Sequence, residues 1–273
     1  MLARAPQGIR LFAQRCAAFM NWSDDLTACA AIVERGDPLR FRTAMLAPVA
    51  QRGALFTLYA FNVEVSRAPW VTQESMIAEM RLQWWRDVLE EIAKGGTVRR
   101  HEVATPLSQV ITPAQAELLD ELVAARRWDI YRDAFEDAAD LNRYIDQTAG
   151  HLMWVAASLL GQAAEVPVRH AGRAAGIGAW LRAIPALEEA GRVPLLDGTP
   201  DGVSGLAQSG LEALALARKG RGAVPRACTP ALLAATAAEP ALGYAARYPQ
   251  AVVEGVLPDA GLGFTLRAAT ARW

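Results

Sequence analysis

Hydrophobic positions from Ser23 onward recur at helical spacing, most clearly between Leu58 and Ile92, a stretch that reads as two helices joined at Pro69. In its first half Leu58, Phe61 and Val65 are three and four residues apart and define one apolar face. Pro69 lacks an amide donor and disfavours helix at Ala68, so a break is predicted there. Helix is predicted to restart near Thr72, where Thr72, Glu74 and Glu79 supply a cap and an acidic first turn. The apolar stripe of this second helix reads as Ile77, Met80, Trp84 and Val88, flanked by Trp85, Leu89 and Ile92. Such a stripe is wider than a coiled-coil seam and suits a helix deep inside a large bundle.

The flanking chain continues the helical pattern. Ser23 or Asp24 caps a helix through Val33 that stops at Gly36, and Asp37-Pro38 opens another that carries Phe41, Met45 and Leu46 inward. Pro48 marks the start of the helix that runs into Leu55 and Leu58. Beyond Ile92, the basic cluster Lys94, Arg99, Arg100 and His101 reads as a solvated turn. Pro106 and Pro113 start further helices, the second with Leu118, Leu119, Leu122 and Val123 on one side. Gly150 lies inside an apolar helix, where it costs about 1 kcal/mol relative to Ala, so a close approach of a second helix is predicted. His151 follows with no acid or nucleophile spaced to work with it and reads as a core or boundary histidine. The last third is rich in Ala and Leu, with Pro225 and Pro230 marking helix starts and a basic cluster at Arg218, Lys219, Arg221 and Arg226.

Composition narrows the function classes. With 273 residues and 52% hydrophobic content the chain can bury a large core. A net charge of -1, from 28 basic and 29 acidic side chains, provides no field for nucleic acid. Cys16, Cys29 and Cys228 share no metal-ligand spacing and suggest no disulfide framework. No apolar run reaches the roughly 18 residues of a membrane span, so any membrane contact is expected to be peripheral. Residues 1–20 stand apart: Arg4, Arg10 and Arg15 alternate with apolar side chains and no acid is present. They read either as a targeting segment or membrane-surface helix or as an over-extended start, with residues 21–273 forming a single helical domain. No G-x-G-x-x-G, P-loop or nucleophile elbow occurs.

Four segments carry a resemblance. Leu58-Tyr59-Ala60-Phe61 resembles the first substrate helix of the squalene/phytoene synthase family, which reads approximately L-Y-A-F-C-R-x-x-D-D-x-x-D. Tyr144, Ala149 and Gly150 are similar to that family's Tyr-x-x-x-x-Ala-Gly-x-x-Gly helix, and Trp128-Asp129-Ile130 falls where it carries a helix-borne aspartate. Leu181-Arg182 and Gly191-Arg192 set the register against Q-L-T-N-I-L-R-D-x-x-x-D-x-x-x-G-R. The resemblance implies an all-α, isoprenoid synthase-like helical bundle around a central cavity, with Tyr59, Phe61, Trp84, Trp154 and Trp180 facing inward. The candidate cavity or ligand residues it suggests are Tyr59, Asn62, Ser66, Trp84, Tyr144, Trp180 and Arg182.

The departures from the pattern concern chemistry. The family's aspartate positions hold Ser66, Arg67 and Trp70 on the first helix and Ala183 and Leu187 on the second, where Pro185 is expected to distort the helix. Ionising an allylic diphosphate requires Mg²⁺ to clamp a polyanionic leaving group, and Mg²⁺ demands hard oxygen ligands. Two carboxylates four residues apart lie about 5–6 Å apart on one helix face and suit that task. Glu64 has no acidic partner at helical spacing, and Glu188 and Glu189 are adjacent and diverge. The runs Phe61 to Glu64 and Met80 to Trp85 resemble a divergent branch of the family, phytoene-synthase-like assembly factors for respiratory complex I. That likeness implies a non-catalytic protein with no cofactor. Its partners would be complex I subunits or assembly intermediates, with an isoprenoid or lipid as cavity ligand. Its place would be peripheral on an inner membrane, on the cytoplasmic or organelle-matrix side. Arg218, Lys219, Arg221 and Arg226 are then the candidate membrane or partner surface, together with the segment from Leu2 to Phe19. The alternative reading is an active prenyltransferase that uses relocated metal ligands.

Overall fold

Caps and prolines set most helix boundaries. The computed structural model describes residues 22–72, 74–131, 133–270 and 273, and every regular element among them is helical. The 1–20 segment lies outside the described residues. Helix α1 (Asp24–Gly36) starts at Ser23, whose side chain accepts from the Leu26 amide, with Asp24 and Asp25 favourably placed in the first turn. Asp37 accepts from the Arg40 amide and opens α2 (Pro38–Ala44). The chain turns at once after Ala44, which buries Ala44 and Ala47 and leaves Met45 and Leu46 exposed rather than inward. Helix α3 (Val49–Arg67) follows Pro48 and ends just before Pro69.

Helix α4 (Ser75–Ala93) begins later than the sequence predicts. Thr72 Oγ1 accepts from the Glu74 amide at 3.1 Å, a local turn that competes with helix at this point. Its buried face is also rotated from the predicted stripe. Ala78, Leu82, Trp85, Leu89 and Ile92 are buried, Trp84 is half-buried, and Ile77 and Met80 are exposed. The adjacent tryptophans and Leu82 allow either face, and packing against α6 (Pro113–Ala125) selects the one with Trp85, which meets Phe61 edge-on at 5.2 Å.

The basic turn before α5 (Ala104–Val110) is paired rather than freely solvated. Arg99 binds Glu91, Arg100 binds Asp25 at 2.9 Å, and His101 Nδ1 accepts from the Val103 amide at 3.1 Å. Thr112 and Gln115 close a capping box at the start of α6. Helix α7 (Ala138–Ile145) passes through one π turn (Asp146–Gly150) into α8 (His151–Leu160). Then follow α9 (Glu165–Glu189), α10 (Pro200–Lys219), α11 (Thr229–Ala245), α12 (Gln250–Val253) and α13 (Leu262–Ala269). No helix among the described residues is long and apolar enough to cross a membrane.

Helix α9 joins the two apolar clusters of the bundle. Val168, Ala171 and Ala174 pack into the larger cluster, built also from α1, α3, α4, α6 and α8. Ile177, Trp180, Leu181 and Ile184 pack into the second, with Tyr144, Leu242 and Val252. Contrary to expectation, α9 runs unbroken through Pro185. A proline inside a helix costs roughly 3 kcal/mol, and the burial of Leu181, Ile184 and Leu187 around it offsets that cost.

The close approach predicted at Gly150 is present. A Cβ on Gly172 of α9 would sit 2.8 Å from Gly150 Cα and 3.1 Å from the Ala149 carbonyl oxygen. Gly172→Ala should therefore lose about 1–3 kcal/mol of stability, because backbone rather than a flexible side chain must move. Gly205→Ala, exposed on α10 with nothing within 4 Å, should gain about 0.5–1 kcal/mol. Urea unfolding of both variants checks the contrast, and equal midpoints would contradict it.

Candidate functional site

The last two turns of α3, the loop after it, the C-terminal half of α9 and the segment from Arg126 to Tyr144 enclose a cavity of about 370 Å³. Asn62 and Ser66 line it from α3, Trp70 from the loop, and Trp180, Ala183 and Leu187 from α9. The void follows from residue size, since the face that α9 turns toward it carries Ala175, Ala179, Ala183 and Ala186. Ser66, Trp70, Ala183 and Leu187 thus converge on one space, although more than a hundred residues separate the two pairs.

One end of the cavity is polar. Asp129 is 3% exposed; Tyr144 donates its hydroxyl proton to it over 3.1 Å, and Arg126 Nη1 donates over 3.2 Å. The same Nη1 donates to the Tyr144 hydroxyl at 2.8 Å, which closes a compact triad. Burial pushes the Tyr144 phenol far above its ordinary value, so it stays protonated. Arg40 reaches the wall from α2 and is held by Asp37 at 2.5 Å. Behind the triad, Trp128 stacks on Phe135 at 4.5 Å, and Trp180 packs edge-on to Tyr144 at 5.2 Å while donating Nε1–H to the Pro194 carbonyl.

The candidates from the sequence separate into two groups. Asn62, Ser66, Tyr144 and Trp180 line the cavity. Tyr59 lies one turn deeper in the core, with the Arg40 guanidinium 5.7 Å above its ring. Trp84 is on another face of the bundle, against Trp85, His101 and Arg99, because α4 turns it away. Arg182 donates to the Pro258 carbonyl, since a step of two residues along α9 from Trp180 leaves the cavity face. Trp154, expected inward, is only partly buried. Arg40 and Arg126 carry no motif, and only the i, i+3 spacing of Arg126 to Asp129 hinted at the triad.

Two further expectations change. Arg218 is held by Glu239 through bonds of 2.6 and 2.7 Å, and of the basic cluster Lys219, Arg221 and Arg226 are exposed. The helix packing also brings His151 an acid that the local sequence does not offer. Its Nε2 lies 2.8 Å from Glu121 on α6, and Arg169 on α9 donates to its Nδ1 at 2.8 Å. An arginine donor at Nδ1 requires a bare nitrogen there, so the ring is neutral with its proton on Nε2.

The fold family implies Mg²⁺ at this cavity, and the side chains present do not fit it. The four converging positions offer one hydroxyl, an indole and two aliphatic groups, and the one carboxylate on the described wall, Asp129, is committed to Arg126 and Tyr144. Among the described residues no group of three or more His, Cys, Asp or Glu is arranged to hold a metal ion.

The architecture and the pattern of matched residues define a class. The squalene/phytoene synthase family model matches residues 33–195, and the chain belongs to that family. Among curated relatives it is 31% identical over 166 residues to NADH dehydrogenase (ubiquinone) complex I, assembly factor 6 homolog of Drosophila melanogaster, covering 58% of this chain and 50% of that protein. It is 26% identical over 162 residues to the Homo sapiens assembly factor 6, covering 58% of this chain and 48% of that one. The chain thus spans about half the length of the curated relatives it matches. A dehydrosqualene synthase in complex with ligand shares the fold with a TM-score of 0.69 at 15% identity, over 96% of both chains. Squalene synthase HpnC from Alicyclobacillus acidocaldarius gives a TM-score of 0.69 at 15% identity, over 86% of this chain and 95% of that one.

Two outcomes follow from the geometry. Asp129→Ala strands Arg126 in a mostly buried site and should cost about 3 kcal/mol or more, whereas Tyr144→Phe should cost about 1 kcal/mol. Denaturant unfolding distinguishes the two. Burial, ahead of the other influences, lowers the His151 pKa below its ordinary 6.5. The unfolded chain then takes up this proton first as pH falls, so His151 removes stability from about pH 6.5 downward through its folded value. Wild type should lose stability over that window more steeply than His151→Gln, as measured by unfolding free energy at each pH.

Proposed function

We propose that this protein is a non-catalytic member of the squalene/phytoene synthase family that acts in the assembly of respiratory complex I. The observation that carries the reading is the convergence of Ser66, Trp70, Ala183 and Leu187 on one cavity without a carboxylate among them. A diphosphate leaving group needs its developing charge neutralised, and this wall supplies no ligand set for the ions that would do so. Glu64 does not line the cavity, and Glu188 is exposed on α9, so neither replaces the missing pairs. The named role of the Drosophila and human relatives in complex I assembly supports the biological half of the reading.

In this reading the partners are complex I subunits or assembly intermediates, and the protein attaches peripherally to an inner membrane from its cytoplasmic or matrix side. Exposed Lys219, Arg221 and Arg226 would each contribute about 1 kcal/mol near an anionic surface, which gives weak and salt-sensitive attachment. Purified protein with farnesyl or geranylgeranyl diphosphate and Mg²⁺ should yield no prenyl-transfer product above the enzyme-free background. Deleting the gene should lower complex I activity and leave squalene, carotenoid and hopanoid levels unchanged. Loss of one of those lipids with normal respiration would overturn the proposal.

A further inference from the structure

We propose that one end of the helical bundle docks on an anionic lipid bilayer. Met45, Leu46 and Val49 insert at the headgroup level there, and Lys219, Arg221 and Arg226 meet lipid phosphates. This rests on the peripheral attachment in the proposed function and adds the docking face and the lipid class.

Hydrogen bonds and close approaches gather these residues although the sequence separates them. At this end α2 gives way to α3, α8 to α9, and α10 to α11. Gln51 Nε2 donates to the Leu160 carbonyl at 3.4 Å and ties the start of α3 to the end of α8. The Ala164 amide donates to the Ala223 carbonyl at 3.0 Å and ties the following loop to the turn after α10. A Cβ on Gly161 would fall 3.3 Å from Cys228 Sγ, and one on Gly220 would fall 2.8 Å from Pro167 Cβ. Three connections thus form one surface.

That surface is apolar and basic. Met45 is 42% exposed, Leu46 48%, Val49 71% and, beside them at the start of α9, Val166 67%. Single exposed apolar side chains are ordinary, but four on connections linked to one another make a patch that water disfavours. Lys219, Arg221 and Arg226 are exposed on the third connection. Residues 45–53, 160–164 and 213–228 contain no Asp or Glu, and the next acid in the chain, Glu165, is held by Arg169 at 2.5 Å. The charge of the face therefore complements an anionic surface. A protein partner suits it less well. Hot spots between proteins are enriched in Trp and Tyr and poor in Leu and Val, and these three stretches carry no aromatic residue. Aliphatic side chains beside cations match shallow insertion among charged headgroups.

Co-sedimentation of the full chain with vesicles tests this. Phosphatidylcholine mixed with phosphatidylglycerol should bind the protein, phosphatidylcholine alone should bind it at least ten-fold more weakly, and about 0.5 M salt should release most of it. Changing Lys219, Arg221 and Arg226 together to Gln should weaken binding about a hundred-fold. Changing Met45, Leu46 and Val49 together to Ser should weaken it about ten-fold, with unfolding midpoints close to wild type in both variants. A polarity-sensitive fluorophore on Leu46→Cys, in a chain that also carries Cys16→Ser, should shift to the blue on the anionic vesicles; Cys29 and Cys228 are buried and do not compete for the label. The same fluorophore on Glu254→Cys should not shift, because Glu254 is exposed at the opposite end of α9, where Gly255 lies near Pro185. No vesicle binding, equal binding to neutral vesicles, undiminished binding by either triple variant, or an unshifted Leu46→Cys label would overturn the inference. Those failures leave the assembly reading to the gene deletion, whereas loss of an isoprenoid lipid on deletion would sink that reading and leave the docking face standing.

Discussion

The structure depends on how closely α9 lies against the helices around it. Gly172 meets the backbone of the π turn, and Gly178 leaves so little room that a Cβ there would fall 2.6 Å from Ala238 Cβ on α11. This proximity lets one helix take part in both apolar clusters. The same run of small residues has an opposite consequence on another face. Where Ala175, Ala179 and Ala183 line the space beside α3, the facing side chains do not fill it, and a cavity remains. Tight packing and the void are two results of one composition.

The polar end of that cavity is organised by pairing. A buried arginine and a buried aspartate are each costly alone, and here Tyr144 adds hydrogen bonds that make the pair tolerable. Both Asp129 oxygens are engaged by these donors, which is why the arrangement is poorly suited to gather metal ions. A carboxylate that binds Mg²⁺ must keep lone pairs available, and those of Asp129 are directed at protein donors. The family's fold has been kept in this chain while the electrostatics of its central space have become internally balanced.

The substitutions along the cavity also explain why a proline can stand in α9. Leu187 is buried and Ala183 half-buried on the cavity face, so the helix turn around Pro185 is held by contacts on both sides of the missing hydrogen bond. A metal-binding turn has to hold two carboxylates to a fixed geometry. A turn that presents only aliphatic side chains has looser demands, and the proline satisfies them.

Local chemistry in the sequence determined the helix starts at Ser23, Asp37 and Thr112, the end before Pro69, and the all-helical class, because caps and prolines act within a turn or two. The missing aspartates at Ser66, Trp70, Ala183 and Leu187 were also legible, since they need only a register. Tertiary structure alone decided which face of α4 is buried, because the sequence offered two and α6 selected one. It alone placed Tyr59, Trp84 and Arg182 off the cavity, brought Arg40 onto its wall and gave His151 its Glu121 and Arg169. Those outcomes depend on groups tens of residues apart and on the rotation of one helix against another. Helical periodicity fixes the direction of a side chain relative to its own axis, and only packing fixes that axis relative to its neighbours.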